Sequence, residues 1–267
     1  MVIQEFKTST VQFTAHGAAL EKGVLHRDIS IGNIMLYDDG CGERKGLLID
    51  FDHARLDDEH CEANPMNDDD EEEMQVTGHP QQALERTVRS VFLLFECHLI
   101  SITIQGTAPF ISIADLMRRK QHEGCHDLES IFYSLIYALT SFKGPGVMRL
   151  EADYKTLSSM PPVLEWFNLQ EMDHSFNAMA RRKMGHLCDF DVSIVGKMDS
   201  YFQSLAPFLQ NLLDAFFPNS KFLDNKMTHS KMIELFDGEY TRLKAYEDVT
   251  MQKGKRKRMI SNMVVDP

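Results

Sequence analysis

Apolar positions gather into two short runs near the start of the chain and a longer helical series beyond its middle. The runs in NIMLYDDG (33–40) and KGLLIDFD (45–52) are joined by DDGCGERK. Gly40, Gly42 and Gly46 with Asp38 and Asp39 make that connection rich in turn formers, so the spacing predicts a β-hairpin. Upstream, VQFTAHGAALEK (11–22) has a helical pattern that ends on Gly23, a residue suited to a helix C-cap. HDLESIFYSLIYALTSF (126–142) is apolar on most faces and predicts a buried helix, with GPG (144–146) stopping it. MPPVLEWF (160–167) opens another element, and 168–187, 193–217 and 229–247 have helical spacing. Residues 57–80 show no periodicity and predict an acidic loop. There are no internal repeats. The sum is one hairpin followed mostly by helix, an α+β pattern that looks like half of a two-lobed fold.

Composition changes this picture little. The chain has 267 residues, enough for a sizeable core, and its 43% hydrophobic and 25% charged content is ordinary for a globular protein. A net charge of −12 argues against general nucleic-acid binding, and much of the acid sits in NDDDEEE (67–73), which reads as a solvated loop. The five cysteines have no CxxC spacing and point to reduced thiols in an intracellular setting, cytoplasm or nucleus. The eleven histidines contain no HExxH, so no dedicated metal site is expected, and His79, His122, His174 and His186 have no visible partners. SVFLLFECHLISITI (90–104) contains Glu96 and His98 and is shorter than the roughly 20 residues a membrane helix needs, so no membrane association is expected. Trp166 and Phe167 read as core, and the 16 methionines as adaptable core filling. Residues 251–267, with KGKRKR at 253–258, read as a basic disordered tail that points weakly to the nucleus.

The chemistry sits in LHRDISIGNIML (25–36) and GLLIDFDHARL (46–56). Phosphoryl transfer asks little covalent work of a protein. It needs a positioned hydroxyl, metal ions on the phosphates and compensation of developing charge. A carboxylate beside the hydroxyl can take its proton. A second carboxylate with an amide oxygen can hold Mg²⁺, a hard cation that prefers oxygen. HRD, an Asn five residues beyond the Asp, two apolar strands and IDF at the end of the second supply those parts in that order.

The string LHRDISIGNIML, GLLIDFD, GTAPFISI and HDLESIFYSLIYAL resembles the fungal-type protein kinase family over roughly residues 12–187. The resemblance implies a protein-kinase-like fold, mainly its helical C-lobe, over residues 1–250, and an ATP-dependent protein serine/threonine phosphotransferase. It makes Asp28 the catalytic base and Asn33 and Asp50 the Mg²⁺ ligands. It places Thr107 near Asp28 in the substrate-binding loop and Asp127 as a brace for the backbone of His26 and Arg27. His26 and Phe51 would pack in an apolar spine, Arg27 would meet charge from the activation segment, and Met35 or a neighbour would floor the adenine site. Ser30 stands where a Lys is common in the catalytic loop and Asp52 where a Gly is usual. The acidic residue closing the activation segment falls at or beside Ala114–Asp115.

The upstream stretch has no Gly-rich loop, and Lys7 and Lys22 stand in the wrong context for the strand lysine. The expectation is therefore a C-lobe whose N-lobe is absent or truncated, an incomplete gene product by the favoured reading. Its N-lobe-facing surface would need a partner, and ATP binding and phosphate transfer by the chain alone are in doubt. Residues 88–105 interrupt the family pattern, and removing them restores ERTGTAPF. Val88 and Gln105 have codons that match intron ends, so this insert reads as a translated intron. Two other functions stay open: an inactive kinase fragment that acts as a binding module, and a small-molecule phosphotransferase.

Overall fold

The computed structural model describes residues 16–38, 44–56, 107–117, 121–144, 146–150, 160–166 and 175–263. The acidic loop 57–80, the insert 88–105, Lys7, His79, Phe167 and His174 lie outside the described residues.

Helix α1 (residues 16–21) closes at Gly23, whose φ of +74° is the left-handed cap that glycine allows without strain. Strand β1 (Val24–Leu25) follows and leads into a loop that holds a 3₁₀ turn at Ile31–Asn33. Strands β2 (Ile34–Asp38) and β3 (Arg44–Leu48) form the expected hairpin, antiparallel and in register from Ile34–Leu48 to Asp38–Arg44. Strand β4 (Arg55–Leu56) then returns to pair with β1, Val24 opposite Leu56. The two pairings close residues 24–56 into one unit, with the HRD loop at its base and the hairpin standing on it.

A 3₁₀ turn at Ala108–Phe110 and the short helix α2 (Ile113–Leu116) precede α3 (Gly124–Ser141), the axis of the core. Leu128, Phe132, Ile136 and Leu139 are buried at helical spacing, and Tyr133 and Tyr137 are buried between them. The polar residues of α3 survive burial by bonding back along the helix: Ser130 Oγ donates to the His126 carbonyl at 3.1 Å, and Thr140 Oγ1 to that of Ile136 at 2.7 Å. Around α3 pack α4 (Pro162–Trp166), α5 (Phe176–Cys188) and α7 (Ala206–Phe216), the last after the single turn α6 (Phe190–Ser193). Phe132 stacks on Phe216 with ring centroids 5.1 Å apart, and Tyr133 meets Trp166 edge-on at 5.1 Å.

Three elements differ from their sequence reading. GPG does not simply stop the long helix: α3 ends at Ser141, and the chain makes a small hairpin, β5 (Phe142–Gly144) with β6 (Val147–Met148). The single helix expected over 193–217 splits into 3₁₀ turns at Val195–Lys197 and Ser200–Leu205 before α7. Pro207, which has no N–H to give an earlier turn, fixes the start of α7. The described part of the basic tail is not a coil either, since α8 runs unbroken from His229 to Met263 through KGKRKR. Lys, Arg, Met and Gln are good helix formers, and the one weak residue in that stretch, Gly254, costs only about 1 kcal/mol. Among the described residues no helix is long and apolar enough to cross a membrane.

Candidate active site

The HRD loop is held by a carboxylate from the opposite side of the core. Asp127, in the first turn of α3, accepts from the backbone N–H of His26 at 2.9 Å and from that of Arg27 at 3.0 Å. Arg27 has φ +67°, a left-handed conformation unfavourable for a long side chain, and these bonds oppose its relaxation. His26 Nε2 bonds the Ile49 carbonyl at 3.1 Å, and its Nδ1 accepts from the Asp28 N–H at 3.3 Å. The imidazole therefore carries one proton, on Nε2. Burial pushes its pKa down, in keeping with a neutral ring. Burial likewise lowers the Arg27 guanidinium, with repulsion from Arg55 next and attraction to Asp115 and Asp127 opposing.

Both oxygens of Asp28 are engaged. Oδ1 accepts from Thr107 twice, from the backbone N–H at 2.7 Å and from the hydroxyl at 2.9 Å. Oδ2 faces the Asn33 Nδ2 at 3.3 Å, and the same amide donates to the Asp28 carbonyl at 2.8 Å. That orientation leaves Asn33 Oδ1, the atom a cation would use, outside these bonds. The Ile49 N–H donates to the Asn33 carbonyl at 3.0 Å, which carries the hairpin ladder one step further and draws the end of β3 up to Asn33. Asp50 comes next in the chain, exposed and at φ +66°. Phe51 lays its ring against His26 with centroids 4.5 Å apart yet keeps 42% exposure. Met35 lies opposite Leu47 on the hairpin, and Leu47 is 46% exposed, so this side of the unit has an apolar edge.

One base-like carboxylate fixed by Thr107, one oriented amide and one exposed carboxylate thus meet at the foot of a hairpin. Residues 12–139 match the fungal protein kinase family. The match covers just under half of the chain and takes in every residue of this site. No curated protein matches the chain. The matched segment contains α1, the HRD unit, α2 and most of α3.

Around the site lie groups that the sequence pattern does not single out. His122 has partners: its Nδ1 bonds Asp115 Oδ2 at 2.8 Å and its Nε2 bonds Asp127 Oδ1 at 3.0 Å. On the far side of Asp127, His16 Nε2 bonds Oδ2 at 3.0 Å, and His16 Nδ1 lies 2.7 Å from His229 Nε2 at the start of α8. Burial alone would lower the His122 pKa, but its bonds to Asp115 and Asp127 prevail and raise it to about 9. Burial would raise the Asp127 carboxyl, yet the bonds from His122 and His16 hold it well below the usual carboxylate range. Asp115, the residue set against the close of the activation segment, pairs with His122 and His126, and its charge also attracts the Arg27 guanidinium. His186 is likewise partnered, accepting from the Trp166 indole N–H at 3.0 Å.

A second buried network pins the stretch that follows Thr107. Lys183 Nζ donates to the Ile111 carbonyl at 2.5 Å and sits over the Tyr133 ring at 3.9 Å. Glu129 Oε1 accepts from the Ile113 N–H at 2.8 Å and the Tyr133 hydroxyl at 2.6 Å, and its Oε2 accepts from Asn225 at 3.1 Å. Two backbone points in Ile111–Ile113 are thus fixed by buried charges of opposite sign. His16 and His229 stand 213 positions apart, and no spacing rule could have joined them.

Proposed function

We propose that this chain carries the catalytic half of an ATP-dependent protein serine/threonine kinase site. Asp28 is the base: its carboxylate accepts the proton of a substrate hydroxyl as that oxygen bonds the γ-phosphorus and the bond to the ADP oxygen breaks. Thr107 fixes the rotamer of Asp28 and begins the segment that a substrate peptide would meet. Asn33 Oδ1 and the Asp50 carboxylate would hold Mg²⁺, and both are the hard oxygen donors that cation takes. When bound, Mg²⁺ offsets charge on the phosphate oxygens. Met35 and Phe51 offer apolar surface for an adenine ring, and the same edge would suit a partner protein.

The observation that carries this reading is the shared geometry of Asp28. One oxygen is held by Thr107 and the other faces the Asn33 amide, so base and metal ligand are positioned relative to each other before any substrate arrives. Protein substrates are favoured over small molecules because Thr107 opens a TAPF segment whose continuation at Ile111–Ile113 is held in place by two buried side chains.

The test is transfer of labelled γ-phosphate from ATP·Mg²⁺ to protein serine or threonine by the full-length gene product. Transfer should vanish in Asp28→Asn and fall steeply in Asp50→Asn. Transfer that survives Asp28→Asn would overturn the assignment.

A further inference from the structure

The cluster formed by Asp115, His122 and His126 lies outside the Asp28 site and joins two elements that the proposed chemistry needs kept together. One donor atom from each of the three side chains falls within 4.8 Å of the other two. Asp115 uses both oxygens: Oδ2 is 2.8 Å from His122 Nδ1, and Oδ1 is 3.3 Å from His126 Nδ1. Around a tetrahedral Zn²⁺ with bonds near 2.0–2.1 Å, neighbouring donor atoms stand about 3.3 Å apart. Each histidine nitrogen is already near that spacing from an Asp115 oxygen, and a small closing of the three side chains would bring one donor from each around an ion.

Two further observations favour a bound ion over a plain set of ion pairs. First, the outer partners of a metal site are in place. His122 gives its other ring nitrogen to Asp127 at 3.0 Å, the carboxylate–histidine arrangement that orients metal-bound imidazoles. Asp115 in turn accepts from the Ser112 hydroxyl at 2.8 Å. Second, the cluster is reachable. His126 is 2% exposed, but the side chains of His122 and Asp115 keep 15% and 19%, which opens one side to solvent for ion access and a fourth ligand.

We propose that Asp115, His122 and His126 form a site for a divalent ion of the zinc class, with water in the fourth position. Two imidazoles and one carboxylate suit Zn²⁺ better than Mg²⁺, which avoids nitrogen ligands. The ion would clamp α2, and with it the segment after Thr107, to the amino end of α3. Through His122 and Asp127 the clamp would reach the backbone of His26 and Arg27. It is a structural clamp and takes no part in proton or phosphoryl transfer, so it stands or falls independently of the kinase reading.

The experiment is titration of chelator-stripped full-length protein with Zn²⁺ by calorimetry, and with Co²⁺ followed by its visible absorption. The expected result is one equivalent of Zn²⁺, a tetrahedral Co²⁺ spectrum and a raised Tm in the loaded protein. His122→Gln with His126→Gln should abolish the binding. Ser112→Ala, which keeps every ligand but removes the hydroxyl bond to Asp115 and the cap of α2, should weaken it about 10-fold. Absence of a stoichiometric site overturns the proposal. So does Zn²⁺ binding of unchanged affinity in Ser112→Ala together with an unchanged Co²⁺ spectrum in the double histidine variant.

Discussion

Asp28 and Thr107 are joined twice, by a backbone bond of 2.7 Å and a hydroxyl bond of 2.9 Å that end on the same carboxylate oxygen. One of these bonds depends on the side chain and the other does not. Thr107→Val keeps the shape and the backbone donor but removes the hydroxyl. Losing one hydrogen bond to a charged acceptor costs about 1.5–3 kcal/mol when the site is dry and less when it is half open, as here. The expected outcome is a drop of roughly 1 kcal/mol in unfolding free energy by urea titration. A loss of activity larger than that of stability is expected in any phosphotransfer assay.

Asp127 accepts from two backbone N–H groups and two imidazoles. Asp127→Asn removes the charge and turns one acceptor into a donor that faces N–H groups. A buried ionic partner removed in this way costs about 3–5 kcal/mol. Urea unfolding at pH 7 should show that loss whether or not the protein transfers phosphate. An unchanged midpoint would mean that Asp127 does not hold the HRD loop.

Lys183 and Glu129 are both buried beneath Ile111–Ile113 and interact through their charges. Burial lowers the lysine and raises the glutamate, and each counteracts the shift of the other. Lys183→Met should destabilise the protein by about 3 kcal/mol or more, since it leaves Glu129 without its cation. Adding Glu129→Gln should recover part of that loss. A double-mutant cycle on urea midpoints measures the coupling, and strict additivity would show that the two do not interact.

His229 titrates against His16, with Asp127 behind it. Burial first, and then repulsion from His16, lower the His229 pKa from 6.5 to about 4, while Asp127 opposes. Between these values the unfolded chain binds a proton that the folded chain does not. Stability should therefore fall as pH drops from about 6.5 towards 4 and level off below. His229 is partly open to solvent, so the effect is modest. His229→Gln should flatten this part of the stability–pH curve, as read by urea unfolding at pH 7 and pH 4.5.

The legible part of the molecule is the part whose partners are near in sequence. The hairpin followed from two apolar runs around a Gly- and Asp-rich turn, and α3 from its unbroken apolar character. The bonds that place Asn33 against Asp28 span five positions, the reach of one loop. Asp127 and Thr107 lie 100 and 79 positions from the groups they bond, and only family resemblance pointed to those contacts. The four-histidine cluster gave no signal, because His16, His122, His126 and His229 sit in three separate stretches with no common spacing. Lys183 was hidden for another reason: a lysine in a mixed helix reads as surface, and its burial is made tolerable by the Ile111 carbonyl, the charge of Glu129 and the aromatic rings of Tyr133 and Trp166. The helical course of 251–263 was missed because basic composition was read as disorder, although the same residues favour helix.

The brace from Asp127 to His26 and Arg27 has a consequence for how the chain is made. A ribosome releases residues in order, so the HRD loop leaves the exit tunnel long before the carboxylate that shapes it. Its left-handed Arg27 cannot settle until α3 has followed, 100 positions later, and His16 must wait still longer for His229. For much of its synthesis the nascent chain would expose the hairpin edge at Met35 and Leu47 above an unformed loop. Chains with such long-range closures fold slowly and lean on chaperones. An arrest series of nascent chains, probed by proteolysis, should show the HRD loop becoming resistant only after α3 has cleared the tunnel.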